Sequence, residues 1–342
     1  MGEKMANDGE YKVSVLHDSD ISGSILDGRK VCVIGYGIQG RAQACNFQDS
    51  GLDVVVGLRP GSKSEALAKS DGFTVMPMGD AAKAADIICI LVPDMMHKQV
   101  YEENVRPNLR PGKTLYFSHG FSIVFGQVVA PKDVDVVMVA PKSPGRRVRE
   151  TYQEGFGTPA LAAVHQDSTG NARKTVLALS KALGCSRAGV FECTFEQETL
   201  SDLFGEQAVL CGGVSELIKA GFQTLVDRGY PPEIAYFECL HELKLIVDLI
   251  QAGGISFMYN QVSETARYGG WTRGTRVVTP ETRREMSAIL DEIEDGRFAR
   301  EWVAENQAGK HKFEELDAKE KAELIEKVGS QIRKLFVRVE TR

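Results

Sequence analysis

No two of the seven cysteines stand as Cys-x-x-Cys, and they are scattered along the 342 residues. A disulfide framework and a thiolate metal site are both disfavoured by that spacing. Cys32 and Cys89 sit inside apolar, strand-like runs and read as small core residues, so the odd count suits a reducing cytosol. Clusters of Lys and Arg with interleaved aromatics are missing as well, apart from the short Arg146-Arg147-Val148-Arg149 segment, and the formal charge of −6 argues against a nucleic-acid surface. No apolar run is read as reaching membrane-spanning length, and Met1 to Glu10 is polar rather than a charged-then-apolar signal. Internal repeats and low-complexity stretches are lacking. These absences leave a cytoplasmic globular protein with no membrane and no nucleic-acid partner. At 43% hydrophobic and 26% charged residues, its composition is ordinary for such a chain, and its length allows two domains.

The first half alternates strand and helix. Lys30 to Ile34 is an apolar, β-branched run; Gly35-Tyr36-Gly37-Ile38-Gln39-Gly40 then opens a helical stretch through about Gln48. Val54 to Val56, Ile87 to Val92, Thr114 to Phe117 and Val134 to Ala140 continue the series, which predicts a parallel, doubly wound α/β sheet. From about Phe195 strand-like alternation disappears and helical runs lengthen. The domains are therefore expected at 1–194 and 195–342, the second all-α. Its last segment steps through Leu316, Leu324, Ile325, Val328, Ile332, Leu335 and Phe336, an amphipathic helix that needs a cover from the core or from a partner.

The glycine motif follows a strand and begins a helix, the setting in which glycines admit a dinucleotide pyrophosphate to a helix N-terminus. Val54 to Val56 is followed by Gly57-Leu58-Arg59 and then Ser62, Lys63 and Ser64, where NAD-selective proteins usually place an acid. Arg and two hydroxyls there suit a 2′-phosphate, so NADPH is expected, while Asp53 stands at the wrong end of the strand. Three further segments fall at the carboxyl ends of strands. Asp94, Met95, Met96 and His97 are placed beside the nicotinamide half of the cofactor through backbone atoms. Ser118-His119-Gly120-Phe121 offers an accessible imidazole, and Ala140-Pro141-Lys142-Ser143-Pro144-Gly145 a stiff loop holding Lys142 and the Gly145 backbone near the cofactor.

Two carboxylate pairs carry the rest. Asp202 and Glu206, then Glu238 and Glu242, are spaced i,i+4 with no Lys or Arg between the members, so each pair places two negative groups about one helical turn apart. Such pairs repel unless a cation or proton separates them. Oxygen-only ligation favours Mg²⁺ or Mn²⁺ over zinc, and two pairs suffice for two metal ions. Solvated helix faces are the ordinary alternative; against it, Leu203, Phe204, Val209 and Leu210 around the first pair and Phe237, Leu240, Leu243, Leu245 and Ile246 around the second predict largely buried helices.

Taken together, Gly-Tyr-Gly-Ile-Gln-Gly-Arg-Ala, Val-Pro-Asp-Met, Ser-His-Gly-Phe, Ala-Pro-Lys-Ser-Pro-Gly, Asp-Leu-Phe-Gly-Glu-Gln, the Phe-Glu-x-x-x-Glu helix and Val-Ser-Glu-Thr-Ala-Arg-Tyr-Gly resemble ketol-acid reductoisomerase of the short-form class, over roughly Ser14 through Trp302. The resemblance implies a Mg²⁺-dependent alkyl shift of 2-acetolactate or 2-aceto-2-hydroxybutyrate followed by NADPH reduction, in branched-chain amino acid synthesis. It implies that Asp202 bridges two Mg²⁺ ions with Glu206 on one and Glu238 and Glu242 around the other, that Ser263 binds the substrate carboxylate, and that His119 and Lys142 are active-site polar groups. A knotted helical domain and a homodimer with shared active sites are implied too. Trp271, Arg273 and Gln197 depart from the family's usual residues and bear on pocket shape. The alternatives are a metal-independent NADP-dependent hydroxyacid dehydrogenase and a non-catalytic NADPH-binding protein.

Overall fold

A computed structural model describes residues 14–336, the Phe336 side chain excepted, so Met1 to Glu10 lies outside the described residues. The chain forms two compact units, Met1–Thr199 and Leu200–Arg342, and the division falls inside one helix.

Among the described residues the first unit has nine strands: β1 (Val15–Leu16), β2 (Lys30–Ile34), β3 (Asp53–Leu58), β4 (Thr74–Pro77), β5 (Ile87–Ile90), β6 (Thr114–Phe117), β7 (Asp135–Pro141), β8 (Ala160–Gln166) and β9 (Val190–Cys193). Their order across the sheet is β1-β9-β8-β7-β6-β5-β2-β3-β4. The six strands from β2 to β7 are mutually parallel and read 3-2-1-4-5-6 when numbered from β2, the Rossmann order, whose direction of winding reverses between β2 and β5. The expected all-parallel sheet is corrected at one side: β8 runs antiparallel to β7, and β1 antiparallel to β9. Helices α1 (Ile38–Asp49), α2 (Glu65–Ser70), α3 (Met78–Ala84), α4 (Asp94–Val100), α5 (Phe121–Val124), α6 (Gly145–Gln153) and α7 (Ala172–Ala182) fill the connections. A sheet covered on both faces favours apolar side chains, and β5, β6 and β7 are buried throughout, polar only at Thr114 and Asp135 where β6 and β7 begin. Alternate residues serve opposite faces: Val31, Val33, Ile87 and Cys89 join one core, Cys32, Ile34, Ile88 and Ile90 the other.

The second unit is helical. After α8 (Phe195–Gly205) come α9 (Gly212–Asp227), α10 (Pro232–Tyr236), α11 (Leu243–Gln261), α12 (Glu264–Val277), α13 (Pro280–Glu294), α14 (Arg297–Gln307), α15 (His311–Ala322) and α16 (Leu324–Phe336). Ile325, Val328 and Ile332 of α16 pack with Phe222, Ala235 and Tyr236, so part of the expected face is covered within the unit; Leu324 and Leu335 stay exposed, and Leu316 belongs to the separate helix α15. Two wide π-type turns interrupt the helices: Glu206–Leu210, where the Cys211 amide donates to the Glu206 carbonyl at 2.9 Å, and Phe237–His241, where the Glu242 amide donates to the Phe237 carbonyl at 3.1 Å.

Two expectations fail in this unit. The flanks of the carboxylate pairs are not largely buried: Leu203 is, but Val209, Leu210 and Leu245 are exposed, and α11 and α12 bury no residue fully. Apolar sequence marks a surface that needs cover, and the chain's own helices do not supply it here. In addition, the helical run Phe195–Asp227 reaches 33 residues with a mean hydropathy of 1.2 over its best window, long and apolar enough by composition to cross a membrane. The sequence reading missed it because Glu216 and Lys219 interrupt the apolar stretch. One such helix is weak evidence for a bilayer, since an apolar contact face passes the same count.

Candidate active site

Loops at the carboxyl ends of β2, β5, β6 and β7 converge on the side of the sheet where a Rossmann fold binds ligands. Their approach depends on glycine. A Cβ on Gly35, which has φ +96°, would lie 2.8 Å from the Leu91 carbonyl oxygen, and one on Gly40 would lie 2.3 Å from that of Gly35. A Cβ on Gly145 would fall 2.5 Å from the Ile38 carbonyl oxygen, so α6 begins directly against the start of α1. Gly37 differs: a Cβ there meets nothing within 4 Å, and the space beside the α1 N-terminus stays open for a phosphate. A cleft of about 780 Å³ opens at the same loop, lined among others by Tyr36, Gly37, Ile38, Arg41 and Arg146.

Side chains fix this loop. The Tyr36 hydroxyl donates to Asp71 at 2.7 Å, and Arg41 forks onto the same carboxylate at 2.7 and 3.0 Å. Arg41 foremost holds Asp71 below the usual carboxylate range; burial, then Asp71, pushes the Tyr36 phenol upward. Gln39 donates to the Ser143 carbonyl at 3.2 Å. Fully buried Gln43 donates to Ser118 at 2.7 Å and accepts from Tyr116 at 2.7 Å, tying α1 to the residue before His119. Beyond β3, Arg59 is exposed and Ser62 and Ser64 half-buried, with Ser64 at the start of α2; at the strand's other end Asp53 pairs with Lys30 at 3.1 Å.

At the ends of β6 and β7 the charged groups gather. Lys142 Nζ lies 2.8 Å from Glu198 Oε1, and the Glu198 side chain is 1% exposed. One ligand atom of His119 and one of Glu198 lie within 4.8 Å, and Asp202 follows one turn along α8 with a carboxylate oxygen within the same distance of Glu198. Glu198 is the member that sequence reasoning missed. Its one signal was its position four residues before Asp202, which extends the acidic stripe by a turn. Among the described residues, Glu206, Glu238 and Glu242 join no three-ligand group within the chain; all three are exposed. The wide turn also alters the second pair, because one extra residue per turn brings Glu242 short of a full revolution from Glu238 rather than past it. Ser263 caps α12, its hydroxyl accepting from the Ala266 amide at 3.1 Å. In the β5 loop, Asp94, Met95 and Met96 begin α4 near the surface, whereas His97 is 3% exposed with its ring committed inside the fold.

Residues 25–189 match the family described as acetohydroxy acid isomeroreductase, NADPH-binding domain, and residues 195–338 match the ketol-acid reductoisomerase C-terminal domain. The chain belongs to the ketol-acid reductoisomerase family. A solved structure of an NADH-preferring ketol-acid reductoisomerase from an uncultured archaeon is 49% identical, with TM-score 0.92, covering 95% of this chain and 100% of that one. A semialdehyde dehydrogenase NAD-binding protein from Cupriavidus necator, 17% identical at TM-score 0.60, covers 78% of this chain and 99% of its own. A pyrroline-5-carboxylate reductase from Coxiella burnetii, 13% identical at 0.54, covers 78% and 98%. These two share the fold alone. Ketol-acid reductoisomerases are NAD(P)-dependent oxidoreductases acting on small acetohydroxy acids, so the glycine loop and the polar cluster belong to one nucleotide-dependent enzyme.

The glycine contact is testable. Gly145→Ala should force α6 and α1 apart, weakening nicotinamide-dinucleotide binding by about tenfold or more and lowering stability by ~1–3 kcal/mol. Fluorescence titration and urea unfolding read the two effects. Wild-type affinity in that variant would show that the two loops do not act together.

Proposed function

We propose that this chain, in the cytoplasm, converts 2-acetolactate and 2-aceto-2-hydroxybutyrate into the corresponding 2,3-dihydroxy-3-alkyl acids with NADPH and two Mg²⁺ ions, in the synthesis of branched-chain amino acids. The observation that carries the reading is the grouping of His119, Lys142 and Glu198 at the strand ends of a dinucleotide fold, on a helix that continues to Asp202 and Glu206. A plain dehydrogenase has no need of that acidic continuation.

The donor set fits a hard cation. Asp202, Glu206, Glu238 and Glu242 offer oxygen only, and Glu198 brings a further buried carboxylate beside Lys142. Bound Mg²⁺ supplies polarisation of the substrate's carbonyl and hydroxyl oxygens, and the nicotinamide supplies hydride. The chain's own groups do the rest. Lys142, held by Glu198, keeps an ammonium donor at the strand ends, where it stabilises negative charge on substrate oxygen and relays protons. His119 stands beside the same carboxylate as a second proton carrier. Ser263, at the N-terminus of a 14-residue helix, presents its hydroxyl where a substrate carboxylate gains from the helix dipole.

Cofactor choice rests on this chain's own β3 loop, since the 49% identical structure is that of an NADH-preferring enzyme. Arg59, Ser62, Lys63 and Ser64 favour the 2′-phosphate by charge-assisted hydrogen bonds, with Gly35 to Gly40 and Gly145 around the pyrophosphate. The helical unit supports a homodimer with shared, composite sites: Leu210, Leu245, Ile255, Tyr268 and Trp271 are each more than half exposed, a surface too apolar to be left in water. Glu238 and Glu242 then reach metals held by Asp202 and Glu206 of the other subunit. A knotted path of the helices is part of the same reading.

The function is tested by following NADPH loss with 2-acetolactate, with and without Mg²⁺. Consumption should require the metal; turnover in its absence would favour the dehydrogenase reading. For the cofactor loop, Ser62→Asp with Ser64→Asp should repel the 2′-phosphate and move preference toward NADH, each lost charge-assisted contact contributing ~1.5–3 kcal/mol. An unchanged ratio of NADPH to NADH efficiency would show the loop misassigned. The shared site predicts complementation: Asp202→Asn and Glu242→Gln dimers are each nearly inactive, while an isolated hybrid carries one site with both lesions and one with neither, recovering up to about half of wild-type activity. A hybrid as inactive as its parents would place all four carboxylates in one chain.

A further inference from the structure

His97 touches the loops after both β5 and β6. It is the fourth residue of α4, 3% exposed, and its Nε2 lies 2.8 Å from the carbonyl oxygen of Val92, two residues past β5. Its Nδ1 lies 2.8 Å from the hydroxyl of fully buried Ser122, three residues past His119. A carbonyl oxygen only accepts, so Nε2 carries the proton; in the neutral ring Nδ1 is then the acceptor and Ser122 the donor. The ring is thereby fixed in one neutral tautomer, and burial, which pushes its pKa downward, favours that form. Its ring lies tilted against that of Phe117, the last residue of β6, at 5.8 Å between centroids. Asp94 sits between the two histidines, with Oδ1 3.9 Å from His97 Nε2 and Oδ2 3.9 Å from His119 Nδ1.

We propose that His97 is a positioning residue, a latch that joins the β5 loop to the β6 loop through Val92 and Ser122 and so sets the bed on which the nicotinamide half of the cofactor lies. The proposal rests on the reading above that the dinucleotide occupies this edge of the sheet. Packing alone does not call for a histidine here. An apolar side chain of similar volume fills the same gap without the desolvation of two ring nitrogens. What the imidazole adds is a fixed distance between two backbones belonging to different strands, one leading into Asp94 and the other carrying His119. Direction matters too: the donor faces one loop and the acceptor the other, so neither loop shifts without breaking a buried hydrogen bond.

The full-length protein is titrated with NADPH, read by nicotinamide fluorescence, and separately with 2′,5′-ADP, which carries the adenosine half alone. His97→Leu should weaken NADPH binding about tenfold while leaving 2′,5′-ADP unchanged, because the two lost hydrogen bonds hold only the nicotinamide bed. His97→Gln, whose amide supplies one donor and one acceptor, should restore NADPH affinity to within about threefold of wild type. Ser122→Ala should fall between them and add nothing when combined with His97→Leu. Unchanged NADPH affinity in His97→Leu, or equal losses for both ligands, overturns the latch and leaves His97 a packing residue. Should His97→Leu fail to fold, Ser122→Ala and His97→Gln decide: wild-type NADPH affinity in Ser122→Ala, or a His97→Gln protein weaker than Ser122→Ala, overturns it equally. Wild-type protein that binds 2′,5′-ADP but not NADPH refutes the nicotinamide placement beneath the proposal, a result distinct from failure of the latch itself.

Discussion

Backbone-to-backbone contact at the carboxyl edge of the sheet is the constraint on which the rest of this structure depends. Gly40 against Gly35, Gly35 against Leu91 and Gly145 against Ile38 are approaches that a single added carbon would obstruct. Because the loops after β2, β5 and β7 meet at that range, Gln39 spans from the first to Ser143 in the last, and Gln43 reaches Ser118 beyond β6. Lys142 and His119 stand at the ends of those loops, and Lys142 is held further by Glu198. A fold with looser loops would hold the same side chains too far apart to share one carboxylate.

Charge supplies the second constraint. Glu198 is almost fully buried, and a carboxylate so placed is tolerable only with compensation, which Lys142 provides at 2.8 Å. One turn on, Asp202 repeats the acidic position, and Glu206 repeats it again where the helix widens. The α8 stripe therefore passes from a carboxylate neutralised within the chain to ones that are increasingly exposed. That gradient is what a cation site requires: an anchored end that fixes the helix and an accessible end that a cation can reach.

Some of this was legible in the sequence because local chemistry forces it. A Gly-x-Gly-x-x-Gly between an apolar β-branched run and a helix has few other uses, and carboxylates four apart with no intervening cation stand out in any helix. Glu198 was not legible. Before folding it is one of two glutamates in the first turn of α8, and its partner Lys142 lies 56 residues away. The wide turns were invisible for a different reason: Glu206–Leu210 and Phe237–His241 contain ordinary helix formers, so the i,i+4 spacing of Glu238 and Glu242 falls on a wider turn than that of an α-helix. Apolar residues around the carboxylates were read as buried, which the exposed Val209, Leu210 and Leu245 contradict; composition does not say whether apolar residues are covered by their own chain. The antiparallel β8 was missed because Ala160–Gln166 alternates too weakly to announce a strand.

The two units differ in how far a single chain satisfies them. In the sheet unit the polar groups near the glycine loop close on one another: Tyr36 and Arg41 on Asp71, Gln43 on Tyr116 and Ser118, His97 on Val92 and Ser122. Among its described residues the helical unit has a compact core around Phe222, Tyr236 and α16, while α11 and α12 expose aliphatic and aromatic side chains together with the nearby Glu238 and Glu242. Donors and acceptors of this kind, the Arg41–Asp71 ion pair included, can be completed within a fold, because each finds its partner there. A set of like charges cannot be completed that way; it needs opposite charge, and apolar surface beside it needs a dry partner. The sheet unit thus completes its polar contacts within the chain, whereas the helical unit leaves Glu238, Glu242 and the apolar side chains beside them exposed.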